Sequence, residues 1–311
     1  RPLSAVPAAS SEPPAPLAAD RLATPCERAD VPVARPPAFP HTVFVGHNNC
    51  DTDSVMAAIG AAALYNGHPA RCNQAVNAET RYLLDRFGEP VPPPANDPRF
   101  VGKNWGLVDT AELAQVPAGV VLGRLVAVVD HHGLGADSVS TAHPVHIDMR
   151  PWGSCATIVA YKFWEASEPL PRKVAPLLMA AILSDTLNLR SPTTTPADRY
   201  AAKHLAKVSG MNATEVQDLV RGMFRAKSDV SGLTPAQVIS LDYKEYAMGA
   251  HRVGWGTAET VSPRQYVDQA PALNDALRAH RRRRGLDAIF FSAVDVLRMR
   301  SLLLVPSPAE Q

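Results

Sequence analysis

From residue 41 onward, short β-branched runs alternate with Ala-rich stretches, and this alternation leaves few folds open. Parallel strands must be joined by a crossover, usually a helix, so the pattern predicts βαβ units on a mostly parallel sheet. Strands are expected at 42–46, 71–76, 105–108 and 125–129, and Val126, Val128 and Val129 suit a strand covered on both faces. Helices are expected over 54–66, stopped by Gly67, over 79–87, 153–164 and 175–183, and over 196–209, stopped by Gly210. Past Asn212 the pattern changes. An amphipathic helix runs to Phe224, strand-like pieces follow at 238–241, 252–256 and 288–295, and a polar helix spans 262–284. The expected fold class is α/β, with a larger domain over 41–210 and a smaller one over 211–311.

Residues 1–40 hold ten of the chain's 29 prolines, mixed with Ala, Ser and single charges, and cannot assemble an apolar face. They read as a disordered extension. Lys+Arg 31 against Asp+Glu 30 leaves no global field to draw in nucleic acid or a membrane surface. No apolar run approaches the ~18 residues that a membrane-spanning helix needs. Cys26, Cys50, Cys72 and Cys155 lack CxxC or CxxH spacing. That argues against structural zinc and against a disulfide-stapled secreted domain, and favours a reducing, cytoplasmic setting, with Cys72 and Cys155 as small buried apolar residues.

The chemistry concentrates at predicted strand ends. Gly46-His47-Asn48-Asn49-Cys50-Asp51-Thr52-Asp53-Ser54 lies directly between the first strand and the first helix, where parallel sheets place their ligands. One His and two Asp on such a loop suit hard or borderline cations. Alone, the loop could equally be an Asx-rich turn with Asp53 or Ser54 as a helix cap. Two further strands, however, run into Asp109 and into Asp130-His131-His132, and Asp185 follows an apolar helix in which a carboxylate needs a partner. His47, Asp51, Asp53, Asp109, His131 and Asp185 are more ligands than one cation uses. Two cations sharing a carboxylate would use them all, which points to two-metal hydrolysis of a phosphoanhydride or phosphodiester.

Taken together, GHNNCDTDS (46–54), VD (108–109), VDHH (129–132), GSCATIVAYK (153–162), AILSDTLNLRSPTTT (181–195) and ISLDYKEY (239–246) are similar to the DHH phosphoesterase superfamily. Within it the chain resembles the family II, manganese-dependent inorganic pyrophosphatases, over about residues 42–305. The resemblance implies an N-terminal DHH domain and a smaller C-terminal domain closing over pyrophosphate. It implies the six residues above as ligands of two or more Mn²⁺ ions, replaceable by Co²⁺ or Mg²⁺, with Asp109 bridging. It also implies that His132 meets the electrophilic phosphate, that Lys244 reaches the substrate from the second domain, and that a homodimer forms through the N-terminal sheet.

Three departures stand out. Cys50 replaces the family's usual Pro, and Thr110-Ala111 follow Asp109 where the family has His-Asn, which removes a neighbour of the kind that tunes metal affinity. The family's Ser-Arg-Lys-Lys-Gln phosphate grip is absent from these 311 residues, and the expectation is a chain cut short after an apolar strand. Arg281, Arg282, Arg283 and Arg284 read as a solvated helix end, not as a replacement. An exopolyphosphatase of the same superfamily is the nearest rival, and His47, where those relatives commonly carry Asn, decides against it. A weakly active metal-binding relative that has lost its phosphate clamp is the rival from another class. Retention of all six ligand types argues against it.

Overall fold

The computed structural model describes residues 39–296, 298 and 300–307, so the Pro-rich extension expected at the N-terminus lies almost wholly outside the described residues. Strands β1 (Val43–Val45), β2 (His68–Pro69), β3 (Trp105–Val108), β4 (Leu125–Asp130) and β5 (His146–Met149) form one sheet in the order β2-β1-β3-β4-β5. Every pairing is parallel. Val45 pairs with Leu107 and Val108 with Val129, so β1, β3 and β4 end side by side.

Helices α1 (Thr52–Tyr65), α2 (Ala78–Phe87), α3 (Cys155–Glu165), α4 (Ala175–Asp185), α5 (Pro196–Ser209) and α6 (Ala213–Lys227) complete this lobe. Helices α1 and α4 are apolar almost all round because they are covered on nearly all sides, packing on each other and on α3. By contrast α5 and α6 carry one apolar stripe each, with Ala201 and Leu205 or Leu219 and Met223 turned inward.

A second sheet holds β6 (Asp242–Met248), β7 (His251–Thr260), β8 (Ala288–Asp295) and β9 (Arg300–Leu304) in sequential order. Only its central pair, β7 with β8, is parallel. The connection that this pair requires runs through α8 (Arg264–Asp268) and α9 (Ala270–Arg284). With the short α7 (Pro235–Val238), these helices bury Tyr266, Leu273 and Leu277 against Ile289 and Phe291. Among the described residues no helix is long and apolar enough to cross a membrane.

Several expected boundaries move. Asn66, not Gly67, takes the left-handed position that ends α1, while Gly67 is needed because Thr42 O would lie 2.4 Å from any Cβ there. The strand expected at 71–76 is replaced by β2 and a single bridge from Arg71 to Pro94. Residues 235–238 are helical because Thr234 and Gln237 form a capping box with Pro in the first turn, which displaces the strand expected at 238–241. The helix expected over 262–284 breaks at Gln269 into α8 and α9. Strand β5, whose sequence HIDM carries no clear alternation, was not expected at all.

The cysteine reading also needs correction, since Cys50 and Cys72 are joined by a disulfide with Cα atoms 5.3 Å apart. Their pairing is a product of tertiary proximity, which linear spacing does not reveal. Cys155 is free and buried, as expected. Closing a loop with a sequence separation of 22 stabilises a fold by about 3 kcal/mol. Cys72→Ser should therefore lower the urea unfolding midpoint, and a dithiol reductant should do the same to the wild-type protein but leave the variant unchanged.

Candidate metal centre

The strand ends converge as the sheet order requires. Asp51 caps α1 by accepting from Ser54 N, so the loop after β1 turns directly into the helix, with Asp51 at its cap and Asp53 in its first turn. Gly46 permits that turn: a Cβ there would lie 2.5 Å from Ser54 Cβ and 2.8 Å from Ser54 Cα. Ser54 in turn donates to Asp109 Oδ2 at 2.9 Å. Asp109 leaves β3 with a φ of 60°, a left-handed conformation that is costly for a non-glycine residue and is found where surrounding structure enforces it.

Asp53 is fully buried and sits on the N-terminus of α3. Its Oδ1 accepts from Ser154 Oγ and Ala156 N, both at 2.9 Å, and its Oδ2 accepts from Cys155 N at 2.6 Å. That cradle explains the Gly153-Ser154-Cys155 run: Ser154 caps the helix, and a Cβ at Gly153 would meet Asp198 Oδ2 at 2.9 Å. Asp185 closes the far side as the last residue of α4.

Overlapping ligand sets result. His47 Nε2 lies 3.2 Å from both Asp51 Oδ2 and Asp109 Oδ2. His131 Nε2 lies 3.1 Å from Asp109 Oδ1, 3.7 Å from Asp185 Oδ2 and 4.0 Å from Asp53 Oδ2. His47, Asp51 and Asp109 thus form one group able to hold an ion, Asp53, Asp109, His131 and Asp185 a second, and Asp109, His131 and His132 a third that shares two members with the second. Asp109 belongs to all three. All six residues singled out from the sequence are brought together.

The electrostatics show four carboxylates crowded with two imidazoles. Removal from water opposes charging His47, yet Asp51 and Asp109 hold its ring protonated up to about 11. Burial likewise opposes charging His131, and Asp109 holds it up to about 9. In return, and against its own burial, Asp109 is held well below the usual carboxylate range by hydrogen bonds from His131 and His47. Burial and then Asp109 raise Asp53 to about 6, while burial with Asp53, Asp109 and Asp51 pushes Asp185 well above its ordinary value. The all-oxygen and imidazole donor set, without thiolate, fits Mn²⁺ better than a soft ion. His131 is also set for ligation, because Trp152 O at 3.0 Å can take an Nδ1 proton and leave the Nε2 lone pair facing the carboxylates.

His132 reaches the same acidic group, with Nδ1 3.8 Å from Asp109 Oδ1. Asp130, which the sequence reading did not assign a role, holds it. The Asp130 Oδ1 accepts from His131 N at 2.8 Å and His132 N at 3.2 Å, and lies 2.9 Å from His132 Nδ1. That hydrogen bond keeps His132 above its ordinary pKa, although partial burial opposes it. An acid closing a fully buried strand directly before two histidines was the available signal for Asp130. Lys244 is different: it stands exposed on β6, 3.9 Å from Asp242, and among the described residues makes no contact with the six ligand candidates. Thr110, where a histidine was expected, is buried and accepts from Glu112 N.

Comparison with known proteins follows the same division of the chain. Residues 41–182 match the family model of the DHH family N-terminal domain, and residues 221–311 match that of the DHHA2 domain. The manganese-dependent inorganic pyrophosphatase of Methanocaldococcus jannaschii is 32% identical over 269 residues, covering 84% of this chain and 85% of the relative. A crystal structure from Methanococcus jannaschii assigned to the family II inorganic pyrophosphatases aligns with a TM-score of 0.70 at 30% identity, covering 84% of this chain and 87% of the other. An exopolyphosphatase-related protein from Bacteroides fragilis aligns with a TM-score of 0.52 at 12% identity, over 81% of this chain and 75% of the other, a likeness of fold alone. Identity of this level over most of both chains places the sequence with the first group: it belongs to the manganese-dependent, family II inorganic pyrophosphatases.

Proposed function

We propose that the chain hydrolyses inorganic pyrophosphate to two phosphates at a Mn²⁺ centre held by His47, Asp51 and Asp109 on one side and by Asp53, Asp109, His131 and Asp185 on the other. The observation that carries this reading is the sharing of Asp109 between two complete ligand groups. Bound ions would supply a water of lowered pKa and positive charge for the phosphoryl oxygens.

The remaining work falls to side chains. Asp109 and Asp53 arrive already ordered by hydrogen bonds from Ser54 and from the start of α3, so little reorganisation is left for binding. Asp130 Oδ1 accepts a hydrogen bond from His132 Nδ1–H and favours the doubly protonated ring, leaving an Nε2–H to donate to a phosphate oxygen. Lys244, on the second sheet, is the cation we assign to the opposite side of the substrate. We also infer a two-domain organisation over 41–210 and 211–311, and a homodimer through the first sheet. The position of β5 at an edge of that sheet, with Ile147 exposed, supports such pairing.

The test is phosphate release by metal-stripped protein reloaded with Mn²⁺, Co²⁺ or Mg²⁺, on pyrophosphate and on tripolyphosphate. Turnover is expected to be fastest with Mn²⁺ and pyrophosphate. Lys244→Ala should raise KM for pyrophosphate about tenfold or more while Mn²⁺ binding stays unchanged, as expected for loss of one charge-assisted contact of ~1.5–3 kcal/mol. Preference for tripolyphosphate would favour the exopolyphosphatase reading instead.

A further inference from the structure

Glu79 is a buried carboxylate that the ligand groups above do not use. It lies in the first turn of α2 and is 1% exposed. Its place suggests a helix-terminal acid, but that role is already filled, since Asn77 caps α2 by accepting from Thr80 N. The Glu79 side chain turns elsewhere. Its Oε2 accepts from Thr52 Oγ1 at 2.9 Å and from Ser184 Oγ at 2.8 Å.

Those two donors are not arbitrary. Thr52 stands between Asp51 and Asp53, and Ser184 immediately precedes Asp185. A single oxygen atom therefore joins the chain segments that carry three of the six ligand candidates. Helices α1 and α4 pack along their lengths, but packing alone allows small sliding, whereas a shared acceptor fixes the start of one helix against the end of the other. Lys227 completes the arrangement, with Nζ 3.7 Å from Glu79 Oε2 and 3.4 Å from Ser184 Oγ, and with an ion pair to Glu259 on β7. Two hydroxyl donors and a cation thus serve the Oε2 atom, while Oε1 is buried without a hydrogen-bond partner among the described residues.

We propose that Glu79 is a positioning residue of the metal centre, whose carboxylate fixes the Asp51–Asp53 arm against the Asp185 arm. The inference rests on the metal-centre reading above and deepens it. Coordination tolerates little error in donor spacing, and residues that orient ligands typically contribute ~10- to 100-fold to metal affinity. Glu79→Ala removes the one acceptor that Thr52 and Ser184 share, while Thr80 Oγ1 remains as a partner for Thr52 and Glu259 for Lys227. Glu79→Gln keeps an acceptor oxygen of the same reach for Thr52 and Ser184 and removes only the charge.

The experiment is a Mn²⁺ titration of the metal-stripped full chain, following the electron paramagnetic resonance signal of the free aqua ion, with the urea midpoint of the metal-free protein measured alongside. Glu79→Ala is expected to weaken Mn²⁺ binding ~10- to 100-fold, with Glu79→Gln recovering most of that loss. Ser184→Ala, which removes one hydroxyl from a buried but small site, is expected to weaken binding severalfold. Wild-type Mn²⁺ affinity in folded Glu79→Ala would overturn the proposal, and so would a lowered urea midpoint with unchanged affinity, the mark of a merely structural residue. Should Glu79→Ala fail to fold, wild-type affinity in Ser184→Ala overturns it equally. Wild-type protein that takes up no Mn²⁺ would instead sink the metal-centre reading, and this inference with it.

Discussion

Asp109→Asn is expected to reduce kcat/KM for pyrophosphate by about 10³-fold or more, the scale seen when a group acting directly on the reacting centre is lost. The reason is specific to this position. His47 and His131 each lie within 3.2 Å of a different Asp109 oxygen, and Ser54 holds one of those oxygens. An amide offers one acceptor and one donor where two anionic acceptors are needed, so both ligand groups are damaged at once. The left-handed backbone at residue 109 does not oppose the change, because Asn tolerates that conformation well. Loss of activity with a retained circular dichroism spectrum would therefore report chemistry and not folding. Equal activity would mean that Asp109 is not shared between ions.

The second large effect concerns metal removal. Burial of carboxylates in the centre is costly without counter-charge, and the ion-free protein meets that cost with protons on His47 and His131. Each ion at a free concentration of 100 Kd adds ~2.7 kcal/mol to the folded state, so two ions add ~5 kcal/mol. For a chain of this size that corresponds to a Tm about 8 °C above that of the chelated protein. Differential scanning calorimetry with and without Mn²⁺ measures it directly. A Tm indifferent to Mn²⁺ would contradict ion binding at so buried a centre.

The candidate site was more legible in the sequence than the fold around it. Each of the six ligand candidates follows a strand or an apolar helix, and parallel topology delivers such ends to one edge regardless of where the intervening helices begin. The boundaries failed where local chemistry was ambiguous. Asn66 and Gly67 both accept a left-handed conformation, and only the approach of Thr42 O reveals which of them the close contact needs. Residues 235–238 carry β-compatible Val238, yet a capping box and Pro235 decide for helix. What the sequence concealed most completely was the supporting layer. Asp130 acts on the two histidines directly after it, but Ser54, Ser154 and Glu79 act through tertiary hydrogen bonds to residues distant in the chain, and no period or spacing encodes those partners. The Cys50–Cys72 bond was hidden for the same reason.

The ligand candidates are drawn from residue 47 through residue 185, from three strands and two helices. The group of Asp53, Asp109, His131 and Asp185 cannot form in a nascent chain until α4 has been made and docked, because Asp185 is the final residue of that helix. Long-range closure of this kind slows folding, since loop entropy is lost before contacts repay it. That ion is then captured by a finished topology and cannot serve as its nucleus, whereas the group of His47, Asp51 and Asp109 needs only the ends of β1 and β3 in place. Pulse-labelled hydrogen exchange should accordingly show β4 protected at the same rate with or without Mn²⁺, while Mn²⁺ slows only the later opening of the completed sheet.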